Sequence, residues 1–415
     1  MDIAIVLYLI IENIANNPKA KPTFIFTAPN RLQIIKFTML NSTKLKIKSL
    51  FFLSLVSLFC ITNNLEAQTG KTGAVRVVVA GITHGHVSWI LNKAKTDVIE
   101  IVGIYEPNKA IAEKNALKFN LSKDLFYSNL ETALDKTKPE AVVAFGSIHE
   151  HLKVAEAAAP RGIHIMVEKP LASNLKEALA MEAIAKKNNV MLLTNYETSW
   201  YPSTFETFRL IKEESYVGQI RKVVFHHGHQ GPKEIGVSPE FFNWLTDPIE
   251  NGGGSIVDFG CYGANLMTYL MQGEMPISVT AVMNQFKPSI YPKVDDNATI
   301  IVNYAKTQAI IQPSWAWTFA RKDMEVYGDS AYIIAVNAKK MRLRNKEAAP
   351  ETEKTVTEKD IHVFTDPFSY LHAVLRGKEK IEPYGLYSTE NNVMVNRILE
   401  AAIQSAKTGK TVFMK

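Results

Sequence analysis

Apolar stretches and helical patterns alternate along residues 74–195. Residues 75–80 read VRVVVA, an almost unbroken apolar run of the kind found in strands that are covered on both faces. The predicted strands are 75–80, 99–105, 141–145, 163–167 and 190–194, and the predicted helices are 109–119, 151–159 and 175–187. This alternation predicts an α/β fold with a doubly wound parallel sheet, which binds ligands at the carboxyl ends of its strands.

Residues 196–415 follow a different pattern. Strands are predicted at 220–229, 277–286, 298–304, 308–317 and 324–327 without helix alternation, and helices at 366–377 and 388–408 finish the chain. Residues 346–359 are charged and poor in apolar side chains, so an exposed loop is expected there. The pattern predicts a second, α+β domain with a large, mostly antiparallel open sheet, and a cleft between the two domains.

The charge balance excludes a nucleic-acid footprint. The whole chain has a formal net charge of +6, but the first 67 residues alone carry seven Lys or Arg against three Asp or Glu. Without them, 40 basic residues face 38 acidic ones. We therefore expect neither a nucleic-acid partner nor an electrostatic membrane-binding surface on the remainder.

Residues 1–67 are predicted to be a leader. Lys44, Lys46 and Lys48 precede the apolar stretch SLFFLSLVSLFCI, and Ala67 offers a small residue before a cleavage point at Gln68. This order is typical of a secretory signal peptide over about 39–67, so a secreted or periplasmic protein is expected, with no stable membrane insertion after cleavage. A single membrane anchor is the alternative. Met39 is a candidate start, which would leave residues 1–38 untranslated.

The turn after the first strand is the candidate phosphate cradle. A full dinucleotide fingerprint reads G-x-G-x-x-G, whereas residues 81–86 read GITHGH, so only Gly81 is in its place. Glu106 ends the second strand, where a carboxylate can accept hydrogen bonds from ribose hydroxyls and repel a 2′-phosphate. These residues predict NAD as the cofactor, and Lys109 nearby keeps NADP open.

Two further stretches carry candidate chemistry. The strand at 163–167 ends in Glu168-Lys169-Pro170, and residues 252–271 read GGGSIVDFGCYGANLMTYLM. In the second stretch Asp258, Tyr262 and Asn265 recur at helical spacing, so they share one face of a predicted helix. Such a polar stripe is better suited to a half-buried site than to a solvated surface.

Together, Glu168-Lys169-Pro170, the spacing from His151 to Gly162 and the GGG-x-x-x-D-x-G motif resemble the glucose–fructose oxidoreductase and inositol dehydrogenase (Gfo/Idh/MocA) family, from about Val75 to the C-terminus. The resemblance implies a Rossmann domain, a second domain with an open sheet, a nicotinamide cofactor, sugar-like substrates, and dimers or tetramers formed through that sheet.

The resemblance also implies roles for single residues. Lys169 matches the motif lysine beside the nicotinamide and the substrate. Asp258 matches the motif aspartate, which would orient Lys169. Tyr262 stands where the family usually has histidine, as in the glucose–fructose oxidoreductase and dihydrodiol dehydrogenase branch, where tyrosine is the acid/base. Asn265 replaces the last aspartate of the motif, and Gly146-Ser147 replaces the usual Thr-Pro.

Other side chains complete the predicted site. His227 and His229 share one face of a strand, which favours substrate contact over a zinc site, and Trp244 is expected to border the cleft. The candidate catalytic residues are Lys169, Tyr262 and Asp258. The candidate cofactor-binding residues are Gly81, Thr83, His84, Gly85, His86, Glu106, Gly146, His151, Glu168 and Lys169. The candidate substrate-binding residues are Lys169, His227, His229, Trp244, Asp258, Tyr262 and Asn265, and no metal is predicted.

The sequence predicts a secreted NAD(P)-dependent oxidoreductase that transfers a hydride between nicotinamide and a hydroxyl of a sugar or cyclitol. Two alternatives stay open, because compartments outside the cytoplasm hold little free cofactor. One is a redox-neutral glycosidase or lyase with trapped NAD, and the other is a carbohydrate-binding protein without turnover.

Overall fold

The computed structural model describes residues 24–28, 31–35, 73–93 and 96–414. The first two ranges are an antiparallel pair, β1 (Phe24–Ala28) and β2 (Arg31–Ile35), within a separate unit, Met1–Lys71. The predicted signal peptide at 39–67 lies outside the described residues. None of the helices in the described part has the length and apolar character that a membrane span requires.

The first sheet has six strands, all parallel, in the order β5-β4-β3-β6-β7-β8. Its strands are β3 (Val75–Ala80), β4 (Ile99–Tyr105), β5 (Phe126–Tyr127), β6 (Ala141–Ala144), β7 (His164–Glu168) and β8 (Leu192–Asn195). Val77 and Val79 pack into one core, whereas Val78 and Ala80 pack into another on the opposite face. The predicted doubly wound parallel sheet is confirmed.

Five helices accompany this sheet: α1 (Ser88–Leu91), α2 (Lys109–Lys118), α3 (Leu130–Thr137), α4 (Glu150–Ala158) and α5 (Leu175–Asn188). Asn108, Asn129 and Asn174 cap the N-termini of α2, α3 and α5 by accepting backbone N–H groups, which fixes where these helices begin. The turn after β3 leads only into a short 3-10 helix, Gly85–Val87, and the four-residue α1. A long helix with an anion-binding N-terminus is therefore not present after β3.

The second sheet has nine strands in the order β16-β15-β14-β13-β9-β12-β11-β10-β17. They are β9 (Ile220–Gly228), β10 (Ser278–Asn284), β11 (Asn297–Asn303), β12 (Gln308–Ser314), β13 (Arg321–Gly328), β14 (Tyr332–Ala335), β15 (Lys340–Arg344), β16 (Thr352–Thr355) and β17 (Val412–Phe413). All neighbours are antiparallel except β9 and β12. The predicted large, mostly antiparallel sheet is confirmed, but the segment expected as a loop contains the exposed edge strand β16.

Six helices belong to this part: α6 (Pro202–Lys212), α7 (Pro239–Leu245), α8 (Ser255–Asp258), α9 (Gly260–Leu270), α10 (Pro367–Leu375) and α11 (Thr389–Thr408). Gly263 of α9 lies against Ile311, so α9 packs on the face of the sheet that carries Ile311. The opposite face carries Val224, Ile310 and Ile301, which pair across three strands and are half-buried.

Arg376, just after α10, joins the end of the chain to the start of the first sheet. Its guanidinium donates to the carbonyl oxygens of Gly73 at 2.9 Å and Ala74 at 3.1 Å, and forms an ion pair with Glu140 at 3.0 Å. One hydrophobic core also runs from β3 into the second sheet and its helices. Within residues 73–414, the two sheets are therefore parts of one packed body.

Candidate active site

The tip of β7 places a lysine in the cleft. Lys169 follows Glu168, is only 6% exposed, and reaches Asp258 at the end of α8. The Lys169 ammonium donates to the Asp258 carboxylate and, at 3.2 Å, to the Asp258 backbone oxygen. Trp315 Nε1 donates to the other carboxylate oxygen at 2.9 Å. Asp258 is therefore held from two sides, and it fixes the position of Lys169.

The pair is charged although it is buried. Burial alone would lower the pKa of Lys169, but the Asp258 carboxylate outweighs it and the pKa is raised. Burial would likewise raise the pKa of Asp258, but the Lys169 ammonium outweighs it and this pKa is lowered. At neutral pH the tip of β7 therefore presents an ammonium group, which is a hydrogen-bond donor.

The triple glycine explains how α8 reaches this point. Gly252 has φ of +87°, and a Cβ there would lie 2.1 Å from the Ser173 carbonyl oxygen, so only glycine lets the two backbones meet. The Asp295 carboxylate then accepts from Gly254 N at 2.9 Å and Ile256 N at 2.7 Å, which holds the first turn of α8. The helix breaks at Phe259, so the single helix predicted over this stretch is two.

Tyr262 lies in α9 between two ammonium groups. Its ring centroid is 5.5 Å from Lys169 Nζ and 5.4 Å from Lys322 Nζ. The ring is almost fully buried, and burial raises the pKa of its hydroxyl well above 10. The Lys169 ammonium lies over the ring and is bound to Asp258. Tyr262 is therefore a proton donor at neutral pH.

Sequence reasoning missed a second ion pair. Lys322 of β13 pairs with Glu197, whose other oxygen accepts the Tyr201 hydroxyl at 2.6 Å. The two partners are 125 positions apart, and the strand was predicted to begin only at Met324. The usable signal was the charged run Arg321-Lys322-Asp323 at the start of a strand.

A cavity of about 460 Å³ opens beside these groups. It is lined by Glu197, Tyr201, Gly228, His229, Phe259, Ala320, Arg321, Lys322, Asp323, Glu325, Ile334, Val336, Asn337, Ala338 and Arg342. His229 Nδ1 accepts from Gly231 N at 2.9 Å, and burial lowers the pKa of the ring, so the neutral imidazole carries its proton on Nε2. His229 lies at the cavity wall and offers a hydrogen-bond donor there.

Three residues that were predicted to contact substrate make contacts within the protein, and their substrate contacts stay predictions. His227 is fully buried behind Tyr262, with ring centroids 5.6 Å apart, and burial lowers its pKa to about 3. Asn265 is fully buried and donates to Leu386 O at 2.8 Å, so it joins α9 to the segment before α11. Trp244 Nε1 donates to Thr83 Oγ1 at 3.1 Å, so it contacts the cradle turn.

The turn after β3 is compact. Gly81 has φ of +74°, and a Cβ on it would lie 2.7 Å from Gly146 backbone atoms, so the ends of β3 and β6 meet there without room for a side chain. His84 is 2% exposed, and its Nδ1 accepts from His86 N at 3.0 Å. The His84 ring is thus part of the turn itself.

Helix α7 covers this turn. The Phe241 and His84 rings are 4.8 Å apart, and a Cβ on Gly85 would lie 3.1 Å from Phe241. With the bond from Trp244 to Thr83, α7 of the second domain closes one side of the predicted cradle.

Glu168 links the turn to the strand tip. His86 Nδ1 lies 3.1 Å from one carboxylate oxygen of Glu168, and Asn195 Nδ2 donates to the other at 2.7 Å. Burial would raise the pKa of Glu168, but His86 and Asn195 outweigh it and lower it to about 2. His151 is also fully buried, and its Nδ1 lies 3.1 Å from Leu171 O; its cofactor contact stays a prediction.

Two groups of side chains could be mistaken for metal sites: His84 with His86 and Glu168, and His226 with Asp323 and Glu325. In the first, the Nδ1 of His84 already accepts a backbone N–H, so its neutral ring has a proton on Nε2 and no free lone pair. In the second, Arg321 donates to both oxygens of Asp323 at 2.9 and 2.7 Å. Both arrangements disfavour a cation, and the absence of a metal stays a prediction.

The residues present fit the adenosine end of NAD. Glu106 ends β4, and its Oε1 accepts from Asn108 N at 2.9 Å, which leaves acceptor capacity for ribose hydroxyls. Burial raises the pKa of Glu106, and the nearby charges of Glu150 and Glu240 add to the rise. Lys109 instead pairs with Glu113 at 3.9 Å on the surface of α2.

A parallel strand–helix sheet with an acid after β4, joined to a second sheet by a lysine–aspartate pair, is an architecture of dinucleotide-binding proteins. Residues 75–196 match the model of the oxidoreductase family with an NAD-binding Rossmann fold, and residues 205–334 match the GFO/IDH/MocA C-terminal domain. The chain therefore belongs to the GFO/IDH/MocA oxidoreductase family, and its first domain is an NAD-binding Rossmann domain.

Relatives agree with this assignment. The chain is 29% identical over 218 residues to the trans-1,2-dihydrobenzene-1,2-diol dehydrogenase of Xenopus tropicalis, which covers 51% of this chain and 60% of that protein. An aldose-aldose oxidoreductase from Caulobacter crescentus, complexed with glycerol, shares the fold with a TM-score of 0.68 at 20% identity, covering 82% of this chain and 100% of that one. An inositol dehydrogenase homolog from Azotobacter vinelandii, complexed with NAD+, gives 0.69 at 18% identity, covering 82% and 98%.

Proposed function

We propose that this protein is an NAD-dependent oxidoreductase that transfers a hydride between nicotinamide and a hydroxyl-bearing carbon of a sugar or cyclitol. The observation that carries the proposal is the buried Lys169–Asp258 pair at the carboxyl end of β7, beside the nucleotide turn and a polar cavity. The names of the relatives support the substrate class, because they act on or bind a diol, aldoses, glycerol or inositol-like compounds.

Bound NAD would supply the hydride chemistry. Lys169 would hydrogen-bond the reacting oxygen and stabilise its negative charge, while Asp258 and Trp315 hold the ammonium in place. Tyr262 would add a donor near Lys169, and His229 would add one at the cavity wall. At neutral pH Lys169 and Tyr262 are protonated, which favours carbonyl reduction, and the neutral His229 offers only a hydrogen bond. Alcohol oxidation should accelerate as the pH rises towards the raised pKa of Lys169.

The cradle favours NAD over NADP. Glu106, Glu150 and Glu240 concentrate negative charge where a 2′-phosphate would lie, and Lys114 pairs with Glu240 at 3.0 Å. Titration of the protein with both cofactors tests this preference, and equal or tighter binding of NADP would contradict it.

A redox-neutral glycosidase or lyase is the second candidate, and the Glu197–Lys322 pair favours it. Simple hydride transfer needs no second acid/base pair. In an eliminative cleavage, oxidation of one carbinol carbon would acidify the neighbouring C–H group. Glu197 could take that proton and Lys322 could protonate the departing oxygen. Burial would raise the pKa of Glu197, but Lys322 outweighs it and lowers it, so the carboxylate stays ionised.

Substitutions at Lys169 and Tyr262 test the function. Lys169→Met and Tyr262→Phe should each lower turnover on a panel of sugars and cyclitols by roughly 10²–10⁴-fold, because each removes a proton donor. Tyr304→Phe is the matched control, since it deletes a buried hydroxyl that has no hydrogen-bond partner among the described residues. Loss of aryl-glycoside cleavage at constant total NADH would indicate the redox-neutral enzyme. Loss of sugar affinity without any turnover would indicate a binding protein, and unchanged turnover would contradict the proposal.

We also propose that the protein is secreted, with a mature N-terminus near Gln68, on the basis of the leader sequence alone. Intact-mass analysis of protein from the cell envelope tests this, and retention of residues 39–67 would contradict it.

A further inference from the structure

The charged side chains of the 460 Å³ cavity balance one another. Three cations line it, Arg321, Lys322 and Arg342, and three carboxylates, Glu197, Asp323 and Glu325. With His229 neutral, the lining has no net charge. What a ligand meets therefore depends on which of these groups are already paired.

Arg321 is paired with Asp323 through two hydrogen bonds. Its Nε and one terminal nitrogen donate to the two oxygens of Asp323 at 2.9 and 2.7 Å, and its guanidinium lies 4.8 Å from the Trp317 ring centroid. His226 Nδ1 also lies 2.9 Å from Asp323. Burial would raise the pKa of Asp323, but His226 and Arg321 outweigh it and lower it, so the carboxylate stays charged.

The remaining cations are paired as well. Lys322 is bound to Glu197, and Arg342 donates to Glu351 at 3.2 Å. Among the carboxylates, Glu325 accepts the Tyr327 hydroxyl at 2.6 Å. Each cation of the lining thus has a carboxylate partner in the structure.

This arrangement suits one class of ligand. A sugar hydroxyl both donates and accepts, so it can bond to a paired carboxylate or guanidinium without breaking the pair. A carboxylate or phosphate needs a free cation, because a buried charge without a partner is strongly unfavourable. We infer that the cavity selects uncharged saccharides over acidic or phosphorylated ones, and that Asp323 sets this selectivity by neutralising Arg321. The inference rests on the proposed function and names its substrate class.

Binding calorimetry on the full-length protein with NAD tests the inference with matched sugars: glucose and glucuronate, galactose and galacturonate, mannose and mannuronate. The unmodified protein should bind the neutral member of a pair at least about tenfold more tightly than the acid. Asp323→Asn leaves Arg321 without its counter-charge and should raise the affinity for the acid about tenfold or more. A gain of this size corresponds to the free energy of one hydrogen bond to a charged group. Adding Arg321→Gln should abolish that gain.

Asp329→Asn is the matched control. Asp329, directly after β13, also pairs with an arginine, Arg221 of β9, at 3.2 Å. It is not among the residues that line the cavity. This variant should behave like the unmodified protein.

Equal affinity of the unmodified protein for both members of a pair, or an Asp323→Asn variant that gains nothing, would overturn the selectivity and leave the proposed function standing. Failure to bind any sugar in the presence of NAD would overturn the proposed function and the inference with it.

Discussion

At the scale of single residues, the site consists of buried charges that neutralise one another. Lys169 and Asp258 meet across the two domains, and His86 and Asn195 hold Glu168. Replacing one member of a buried pair leaves the other without a partner and typically costs about 3–5 kcal/mol. Loss of activity in a variant of this site must therefore be separated from loss of folding.

Glu168 should contribute a measurable pH dependence to stability. Its pKa falls from 4.5 to about 2 on folding, so its contribution is complete above pH 4.5 and is lost as the pH falls towards 2. A shift of this size corresponds to about 3 kcal/mol. Glu168→Gln should flatten the decline of the free energy of unfolding in that range, measured by urea denaturation.

Glu182→Gln serves as the control for this measurement, because Glu182 pairs with Lys186 on the surface of α5 at 2.8 Å. If Glu168→Gln and the unmodified protein lose stability with the same slope, the buried carboxylate is not ionised as described.

The residues that the sequence identified are those whose position follows from a strand end. Gly81, Glu106 and Lys169 lie where parallel strands finish, and such ends share one edge of a sheet. The helical spacing of Asp258, Tyr262 and Asn265 gave their common face but not what covers it. Asn265 faces the chain before α11, whereas Asp258 faces Lys169.

At the scale of elements, the turn after β3 depends on the meeting of two strand ends. Gly81→Ala would place a Cβ 2.7 Å from Gly146 and should lower the free energy of unfolding by about 1–3 kcal/mol beyond the backbone strain, because the strand ends must separate. NAD affinity should fall by at least about tenfold, since the cradle widens. Denaturation and NAD titration measure the two effects.

Gly162→Ala is the control, because it introduces the backbone strain of a non-glycine residue at positive φ without a steric contact. Gly162 also has positive φ, +71°, but a Cβ there meets nothing within 4 Å. It should cost only about 1 kcal/mol and leave NAD binding intact. Equal effects of the two substitutions on NAD affinity would show that the contact with Gly146 is unimportant.

Helices and strands were predictable where apolar residues recur at a regular spacing. They were missed where tertiary contacts determine the secondary structure. β14 and β15 pair with each other between β13 and β16, and β16 is fully exposed, so no buried face marks it in the sequence. The break at Phe259 was also missed.

At the scale of the whole molecule, the open face of the nine-stranded sheet is the proposed site of homo-oligomer formation. Val224, Ile310 and Ile301 are aligned across β9, β12 and β11 and are half-buried. A stable interface between copies buries about 800 Å² on each partner, and a broad sheet face can supply this area.

The proposal predicts that Ile310→Lys gives a monomer, because a charge at the centre of an apolar interface is costly to desolvate. Light scattering after size-exclusion chromatography measures the mass. Thr352→Lys on the exposed edge strand is the control and should keep the oligomer. A monomeric unmodified protein would contradict the proposal.

Arg376 has a consequence for how the chain is made. The ribosome synthesises it 303 positions after Gly73, the residue whose carbonyl oxygen it binds. At about 5–20 residues per second, translation of that interval takes roughly 15–60 s. The last strand of the first sheet, β8, ends at Asn195, so all six strands are synthesised well before the guanidinium that secures their leading edge. Every molecule must therefore pass through a nascent stage in which a nearly complete nucleotide domain waits for Arg376, which lies in the last tenth of the chain.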